Sequence, residues 1–252
     1  GSPYNYTVIT TGPCVIPTAT GTITVNPDAS IVLTSAAPTA NQELCRNSAI
    51  TNITYAISGG GTGATVAGLP AGVTGVYAGG VFTISGSPTV AGTFNYTVTT
   101  TGTCVQNSLS GVILVNQLPT ANFTHTLPSC ETRVINFTDV SVANSGILTN
   151  WTWDFGDGSP TDPNQNPTHV YAAAGTYNVT LTVTTDKGCI SNPIANIPVT
   201  INNRPLAGFI IPEVCLSDTY AQFTDTSRIA SGIINAWNWN FGDPASGPNN
   251  TS

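Results

Sequence analysis

The sequence predicts an all-β chain built from tandem sandwich-sized units. Apolar residues alternate with Thr, Asn and Ser in short segments, which is the period-2 pattern of a strand with one buried face. The chain holds 25 Gly and 18 Pro among 252 residues, which favours short strands and many turns over long helices. One unit of about 85–90 residues also recurs along the chain.

The alternating segments are rich in Val, Ile, Thr and aromatic residues, which suit a pleated, half-buried surface. Turn-forming pairs such as Asp-Gly, Asn-Pro and Gly-Gly separate them. No stretch combines helical periodicity with a cap at each end. The predicted strands are 4–10, 81–85, 94–99, 134–139, 177–184 and 197–201.

Self-comparison defines the repeat. YNYTVITTGPC at 4–14 returns as FNYTVTTTGTC at 94–104, and a third version, GTYNVTLTVTTDKGC, occupies 175–189. NFTDVS followed by WTWDF returns, 85 to 86 residues later, as QFTDTS followed by WNWNF. The chain therefore carries one kind of unit in two sequence variants.

Each unit ends at Val-Asn or Ile-Asn, with a Pro within a few residues, so the junctions are expected to be short and stiff. The last unit stops where a strand should lie mid-sandwich, so we expect the natural chain to continue. The predicted domains are 1–26 (the end of one repeat), 27–117 (a complete repeat), 118–203 (a complete domain) and 204–252 (the start of another).

The charge composition excludes several classes of function. There are 5 Lys+Arg and 12 Asp+Glu, for a net charge of −7, so no basic surface for nucleic acid or anionic lipid is expected. No run of 18 apolar residues predicts membrane insertion. HExxH, GxSxG and P-loop motifs are absent, and His125 and His169 adjoin no nucleophile. The chain is therefore predicted not to be an enzyme.

One stretch carries a specific resemblance. WTWDFGDG at 151–158, NPTHVY at 166–171 and GTYNVTL at 175–181 resemble a PKD domain, over about 118–203. Residues 204–252 resemble the first half of a second one, with Asn240 and Pro244 where the pattern has Asp and Gly.

The earlier unit, with GLPAGV at 68–73 and FTISGSP at 82–88, resembles the PKD-like repeats of giant Bacteroidota surface adhesins of the SprB gliding-motility type. The resemblance implies tandem immunoglobulin-like (PKD-type) β-sandwich domains arranged end to end. It also implies type 9 secretion, a cell-surface location and no catalytic residues. The implied partners are neighbouring repeats of the same chain and, through other parts of the protein, outer-membrane motility or secretion machinery and surface polysaccharide.

Aromatic residues stand at alternate positions of one predicted strand in both PKD-like units, so each set shares a face. We interpret them as sandwich core, because a feature that recurs in each unit is more simply a requirement of the fold. A sugar-stacking platform is the alternative. Tyr177, which follows Gly175, resembles a tyrosine-corner residue. The predicted core signature is Trp151, Trp153, Phe155, Tyr177, Trp237, Trp239 and Phe241.

Asp154, Asp157 and Asp162 could be taken for a calcium loop. Their spacing lacks the oxygen density of an EF-hand, and Asp157-Gly158 suits a two-residue hairpin turn. We therefore predict turn and capping roles, with no cofactor. Asp139 and Asp225, in Phe-Thr-Asp-x-Ser, are expected to accept hydrogen bonds from neighbouring backbone amides.

The cysteines are separated by gaps of 31, 59, 26, 59 and 26 residues, and no CxxC motif occurs. This ordered placement predicts disulfides and an oxidising compartment. Each repeat has one cysteine before its second strand and one after its penultimate strand. The disulfide candidates are Cys14, Cys45, Cys104, Cys130, Cys189 and Cys215.

Two pairings compete. Bonds within repeats would join Cys45 to Cys104 and Cys130 to Cys189, yet a strand of 6–8 residues would hold such cysteines about 20–26 Å apart. A disulfide needs Cα atoms within about 7 Å. Head-to-tail stacking would instead join Cys45 to Cys189 across the junction, with the other four paired outside these residues. We favour this second pairing and keep the first open.

The functional expectation is a stalk segment of a long secreted surface adhesin filament, serving attachment or gliding motility. The alternative is a PKD/Ig-like accessory array beside the catalytic domain of a secreted hydrolase, binding polysaccharide or protein.

Overall fold

The computed structural model describes residues 3–14, 17–127, 129–192, 194–215, 217 and 219–241. The regular secondary structure of these residues is almost entirely β-strand, which confirms the all-β prediction, and Ala37–Ala40 is a short 3-10 turn. None of the helical segments described has the length and apolarity to span a bilayer. Pro244, one of the predicted departures from the PKD pattern, lies outside the described residues.

The chain divides into two compact units. The first holds residues 1–119 with 143–148 and 184–190, and the second holds 120–142, 149–183 and 191–252. Two loops of the 118–203 domain thus cluster with the first unit.

In the first unit, an antiparallel hairpin precedes two four-stranded sheets. The hairpin consists of β1 (Pro3–Ile9) and β2 (Thr18–Thr24). One sheet has the order β3-β5-β8-β7 and the other β4-β10-β9-β6, with β4 and β10 parallel. Their strands are β3 (Ala29–Leu33), β4 (Asn41–Cys45), β5 (Ile53–Gly59), β6 (Gly61–Ala67), β7 (Val73–Ala78), β8 (Val81–Gly86), β9 (Gly92–Gly102) and β10 (Ser108–Asn116).

The core of this unit lies between the two four-stranded sheets. Ile53 and Ile84 from one sheet, with Val98 and Ile113 from the other, are fully buried. They occupy alternate strand positions, so the period-2 pattern places them on one face.

The second unit has strands in two three-stranded sheets and one two-stranded sheet. The orders are β11-β12-β14, β13-β15-β16 and β17-β18. The strands are β11 (Phe123–His125), β12 (Val134–Asp139), β13 (Leu148–Asp154), β14 (Thr168–Val170), β15 (Gly175–Thr185), β16 (Ala195–Ile201), β17 (Phe209–Ile210) and β18 (Thr224–Asp225).

Aromatic rings fill the core between the two three-stranded sheets. Trp153 packs edge-on against Phe123 with ring centroids 5.0 Å apart, and Phe137 lies 5.2 Å from Phe155. Val179 and Leu181 of β15 are fully buried with them. Large rings supply much of the apolar burial available to a sandwich of this size.

The turn after β13 differs from the prediction. Trp153 and Asp162 form the closing antiparallel bridge, so residues 154–161 make a long loop and Asp157-Gly158 is not a two-residue hairpin. Asp154 accepts from Gly156 N–H at 2.9 Å, and Asp157 accepts from Ser159 N–H at 3.1 Å. These side-chain bonds build successive Asx-type turns, which compete with a tight hairpin.

Candidate functional site

The strongest candidate site is a disulfide between Cys45 and Cys189, 144 residues apart in sequence, with their Cα atoms 5.5 Å apart. Cys45 lies in the predicted repeat 27–117 and Cys189 in the predicted domain 118–203, and both lie in the first compact unit. The favoured pairing is therefore confirmed. The alternative bonds, Cys45–Cys104 and Cys130–Cys189, are not formed.

Strand pairing positions Cys45. It ends β4, where the parallel register with β10 sets it beside Asn116. The Arg46 N–H donates to the Asn116 carbonyl at 2.9 Å, which fixes the backbone just past the cysteine. The cysteine is thus held by main-chain bonds as well as by the disulfide.

A tight loop positions Cys189. The Thr185 N–H donates to the Cys189 carbonyl at 2.9 Å, and the Cys189 N–H donates to Thr185 Oγ1 at 3.2 Å. Gly188 has a φ of 73°, which an L side chain rarely adopts, so glycine makes this turn possible. Cys189 is fully buried.

An ion pair accompanies the disulfide. Lys187 Nζ lies 3.1 Å from Glu43 Oε1, and Asn116 Nδ2 donates to the same oxygen at 2.9 Å. The hydrogen bonds from Asn116 and Lys187 lower the pKa of Glu43, and the bond to Glu43 raises the pKa of Lys187. Both side chains are well exposed, so the pair contributes little free energy and serves mainly to orient the loop.

Sequence reasoning missed this ion pair, although a signal was present. Glu43 and Lys187 each stand two residues before a bonded cysteine. Residues at i and i+2 of a strand point the same way, so Glu43 beside Cys45 on β4 was readable, whereas Lys187 reaches it from a turn that the spacing does not describe.

Two further segments bind each other within the first unit. The Gln117 N–H donates to Ser145 Oγ at 3.0 Å, and Asn144 Nδ2 donates to the Leu118 carbonyl at 2.8 Å. The Ile147 N–H donates to Asp186 Oδ1 at 2.9 Å. Loop 143–148 thus connects the Gln117-Leu118 segment to the loop that carries Cys189.

Three of the other cysteines are thiols. Cys14 is exposed, and Cys104 and Cys130 are partly exposed; none of these three takes part in a disulfide among the described residues. Cys215 is also exposed. Their pairing outside these residues stays a prediction.

The predicted core aromatics of the 118–203 domain differ in how deeply they are buried. Trp153 and Phe155 are buried, and Trp153 Nε1 donates to the Asn164 carbonyl at 2.9 Å. Trp151 is only partly buried, and its Nε1 donates to Asp139 Oδ2 at 2.8 Å. Neither strongly buried ring is available to stack on a sugar.

In the 204–252 segment the equivalent rings are more open. Trp237 and Phe241 are each 46% exposed, and Trp239 is partly buried. Among the described residues after Asn203, only β17 and β18 form strands, so the core role of these rings stays a prediction.

Tyr177 and the histidines have structural contacts. Tyr177 OH donates to the Ala173 carbonyl at 3.0 Å, which is the bond of a tyrosine corner. His169 stacks on Phe155 with centroids 4.0 Å apart, and its Nε2 lies 2.8 Å from Asp157 Oδ2. His125 contacts Ser129 Oγ through Nδ1 at 3.3 Å.

The aspartates act as turn caps. Asp162 accepts from the Asn164 N–H at 2.8 Å, in addition to the bonds of Asp154 and Asp157 described above. Asp139 accepts from the Ser141 N–H and Asp225 from the Ser227 N–H, each at 2.9 Å, which confirms the predicted capping. Across the described part of the chain, no three His, Cys, Asp or Glu side chains converge as metal ligands would.

Comparison with known proteins finds relatives of the domain predicted at 118–203. Residues 116–201 match the PKD domain family. The chain is similar to the PKD1 domain of Vibrio anguillarum Epp, known from a crystal structure, with 31% identity over 34% of this chain and 95% of that one and a TM-score of 0.31. This chain belongs to the PKD domain family.

Two curated relatives are much longer proteins than this chain. The chain is 35% identical over 99 residues to collagenase ColQ1 of Bacillus cereus, which is 36% of this chain and 10% of that protein. It is 39% identical over 80 residues to the pre-pro-metalloprotease PrtV of Vibrio cholerae, which is 32% of this chain and 8% of that protein. The chain thus spans about a tenth or less of these relatives. Its PKD domain and disulfide indicate an extracellular protein.

Proposed function

We propose that this chain is a non-catalytic, load-bearing spacer in the stalk of an extracellular adhesin. The Cys45–Cys189 disulfide carries this proposal, because it ties one repeat covalently to the next. A bond within a repeat would strengthen that repeat alone. A bond between repeats also limits how far the junction can be stretched or bent.

The surroundings of the bond support the same role. Loops 143–148 and 184–190 add backbone hydrogen bonds and the Glu43–Lys187 pair beside the disulfide. Such bonds share load when they must break together. The low charge, 7% of residues, leaves few Lys or Arg sites for trypsin-like proteases.

Single-molecule force spectroscopy tests the proposal. The disulfide encloses 144 residues, and at 3.3–3.6 Å per extended residue its reduction should lengthen the fully stretched chain by about 50 nm. The double variant Cys45→Ser/Cys189→Ser should show the longer extension without reductant. Cys104→Ser is the matched control, and its extension without reductant should equal that of the wild type. Equal extensions with and without reductant would contradict the load-bearing role.

A second function is favoured by the relatives: an accessory array beside the catalytic domain of a secreted peptidase. Trp237, 46% exposed, is an indole that is open to contact with a fibrous substrate. This function predicts that the chain co-sediments with insoluble collagen and that Trp237→Ala weakens binding more than Trp153→Phe does. The stalk role predicts no co-sedimentation.

A further inference from the structure

Two of the five Lys and Arg residues of the sequence line one surface pocket of the second unit. Arg133 directly precedes β12, and Arg204 follows β16. The pocket has a volume of about 570 Å³, and both arginines are exposed. None of the described residues that line it is Asp or Glu. It is therefore a local positive site on a chain with a net charge of −7.

Backbone hydrogen bonds hold the two arginines near each other. The Arg133 N–H donates to the Cys130 carbonyl at 3.3 Å, which closes the turn between them. Within that turn, Glu131 Oε1 accepts the Arg204 N–H at 3.1 Å, and its Oε2 accepts the Ala174 N–H at 3.1 Å. The Glu131 carboxylate thus ties the backbone of Arg204 to the turn that carries Arg133.

The first repeat has the same turn without the arginines. There, the Ser48 N–H donates to the Cys45 carbonyl at 3.1 Å. By the repeat offset of 85–86 residues, Ser48 corresponds to Arg133. Leu118 corresponds to Arg204 in the same way. Because the turn forms with Ser and Leu at these positions, the fold does not require the two arginines.

Ion pairs of the fold do not use these arginines either. Among the residues that the structure describes, the ion pairs join Asp157 to His169 and Glu43 to Lys187. The two guanidinium groups of the pocket therefore have no carboxylate partner within the described chain. Their charge is available to an anion from outside.

Thr132 lines the same pocket and has an unusual backbone conformation. Its φ is 60°, and a β-branched residue seldom adopts this left-handed region. The corresponding residue of the first repeat is Asn47, with a φ of 68°, and Asn tolerates this region well. The pocket thus keeps Thr where the backbone favours Asn or Gly, which points to a use for its side chain.

The lining of the pocket fits a sugar that carries a carboxylate. A guanidinium group binds a carboxylate through two parallel hydrogen bonds. The Thr126 hydroxyl accepts the Asn136 N–H at 3.1 Å and keeps its own proton to donate to a sugar hydroxyl. Val134, 61% exposed, offers an apolar surface to the C–H face of a sugar ring. The described lining contains no aromatic ring on which a nucleic-acid base could stack.

We propose that this pocket binds the carboxylate groups of an acidic polysaccharide, with Arg133 and Arg204 as the anion-binding residues. This goes beyond the spacer role, because it gives the stalk a ligand site of its own. Two positive charges in one pocket favour a polymer that presents several carboxylates over a single free anion. Since both arginines are exposed, the affinity should fall as the salt concentration rises.

Isothermal titration with an oligogalacturonate at low salt tests the proposal, and its methyl ester is the uncharged probe with the same sugars. The wild-type chain should bind the acid and not the ester. Arg133→Gln/Arg204→Gln should weaken binding by about tenfold or more, because charge-assisted hydrogen bonds are lost. Arg228→Gln removes an exposed arginine outside the pocket, so it is the control and should bind like the wild type.

Thr132→Gly distinguishes a built site from a simple excess of positive charge. The substitution leaves the net charge unchanged, removes the hydroxyl and suits the left-handed conformation. Binding should weaken by about threefold or more, while the unfolding temperature should stay equal or rise. Unchanged binding would contradict a built site.

Three further results would overturn the proposal: no binding of the oligogalacturonate, equal binding of the acid and its methyl ester, or a double arginine variant that binds like the wild type. Single-stranded DNA of matched charge is titrated in parallel. Tighter binding of the DNA than of the oligogalacturonate would also contradict the proposal, because it would indicate a site for phosphate rather than for sugar carboxylates.

Discussion

At the residue scale, Asp157 makes stability depend on pH. Burial raises its pKa, but the hydrogen bonds from Ser159 and His169 outweigh this and lower the pKa to about 2. A carboxyl with a lowered folded pKa stabilises the fold above its unfolded pKa of about 3.9, and the contribution is lost as pH falls through the folded value. We expect the free energy of unfolding to decline between about pH 4 and pH 2.

Asp157→Asn tests this assignment. The variant cannot ionise at this position, so its unfolding free energy should be lower than that of the wild type at pH 6, and the difference should shrink towards pH 2. Chemical denaturation at several pH values measures it. A constant difference would mean that the carboxylate charge is not the source.

Substitutions of the two tryptophans of β13 should lower the free energy of unfolding by different amounts. Trp153→Ala empties a fully buried site and should lower the free energy of unfolding by about 3–5 kcal/mol. Trp151→Phe removes mainly the hydrogen bond to Asp139 and should cost about 0.5–1.5 kcal/mol. Urea denaturation measures both, and equal costs would contradict the assigned depths.

The spacing of these residues predicted a shared face but not their depth. Trp151, Trp153 and Phe155 alternate correctly, yet Trp151 is only partly buried and donates its indole N–H to Asp139 Oδ2. Depth depends on which strands flank β13, and the sequence of β13 does not contain that information.

At the scale of elements, the loop 154–161 depends on two left-handed glycines. Gly156 has a φ of 75° and Gly158 a φ of 83°. A Cβ at Gly156 would lie 2.6 Å from the Asn178 carbonyl oxygen, whereas a Cβ at Gly158 would meet nothing within 4 Å. The first position is therefore limited by both backbone conformation and space.

Gly158→Ala should cost about 1–2 kcal/mol from the left-handed conformation alone. Gly156→Ala should cost clearly more, because the loop must also move away from Asn178. Thermal unfolding of the two variants makes the comparison. A Gly156→Ala variant as stable as Gly158→Ala would show that the loop does not pack against β15 as described.

The strands were predictable and this loop was not. Val134–Asp139 was predicted with its observed bounds, because alternation over six residues is a strong signal. Asp157-Gly158 indicated a tight hairpin, but Asp154, Asp157 and Asp162 each cap a turn of their own and lengthen the connection. Side-chain capping of this kind competes with the dipeptide preference.

At the scale of the whole molecule, the repeat made the long-range disulfide predictable. Gaps of 26 and 59 residues assigned Cys45 and Cys189 to different kinds of position, and strand length argued against a bond within one repeat.

The central claim is that a covalent bond joins one repeat to the next. A peptide map without reductant tests it most directly, because chymotrypsin, cleaving after Tyr, Phe, Trp and Leu, places the six cysteines on different peptides. We expect the fragment containing Cys45 to be joined to the fragment containing Cys189. A fragment joining Cys45 to Cys104 would contradict the claim and return the disulfide to a single sandwich.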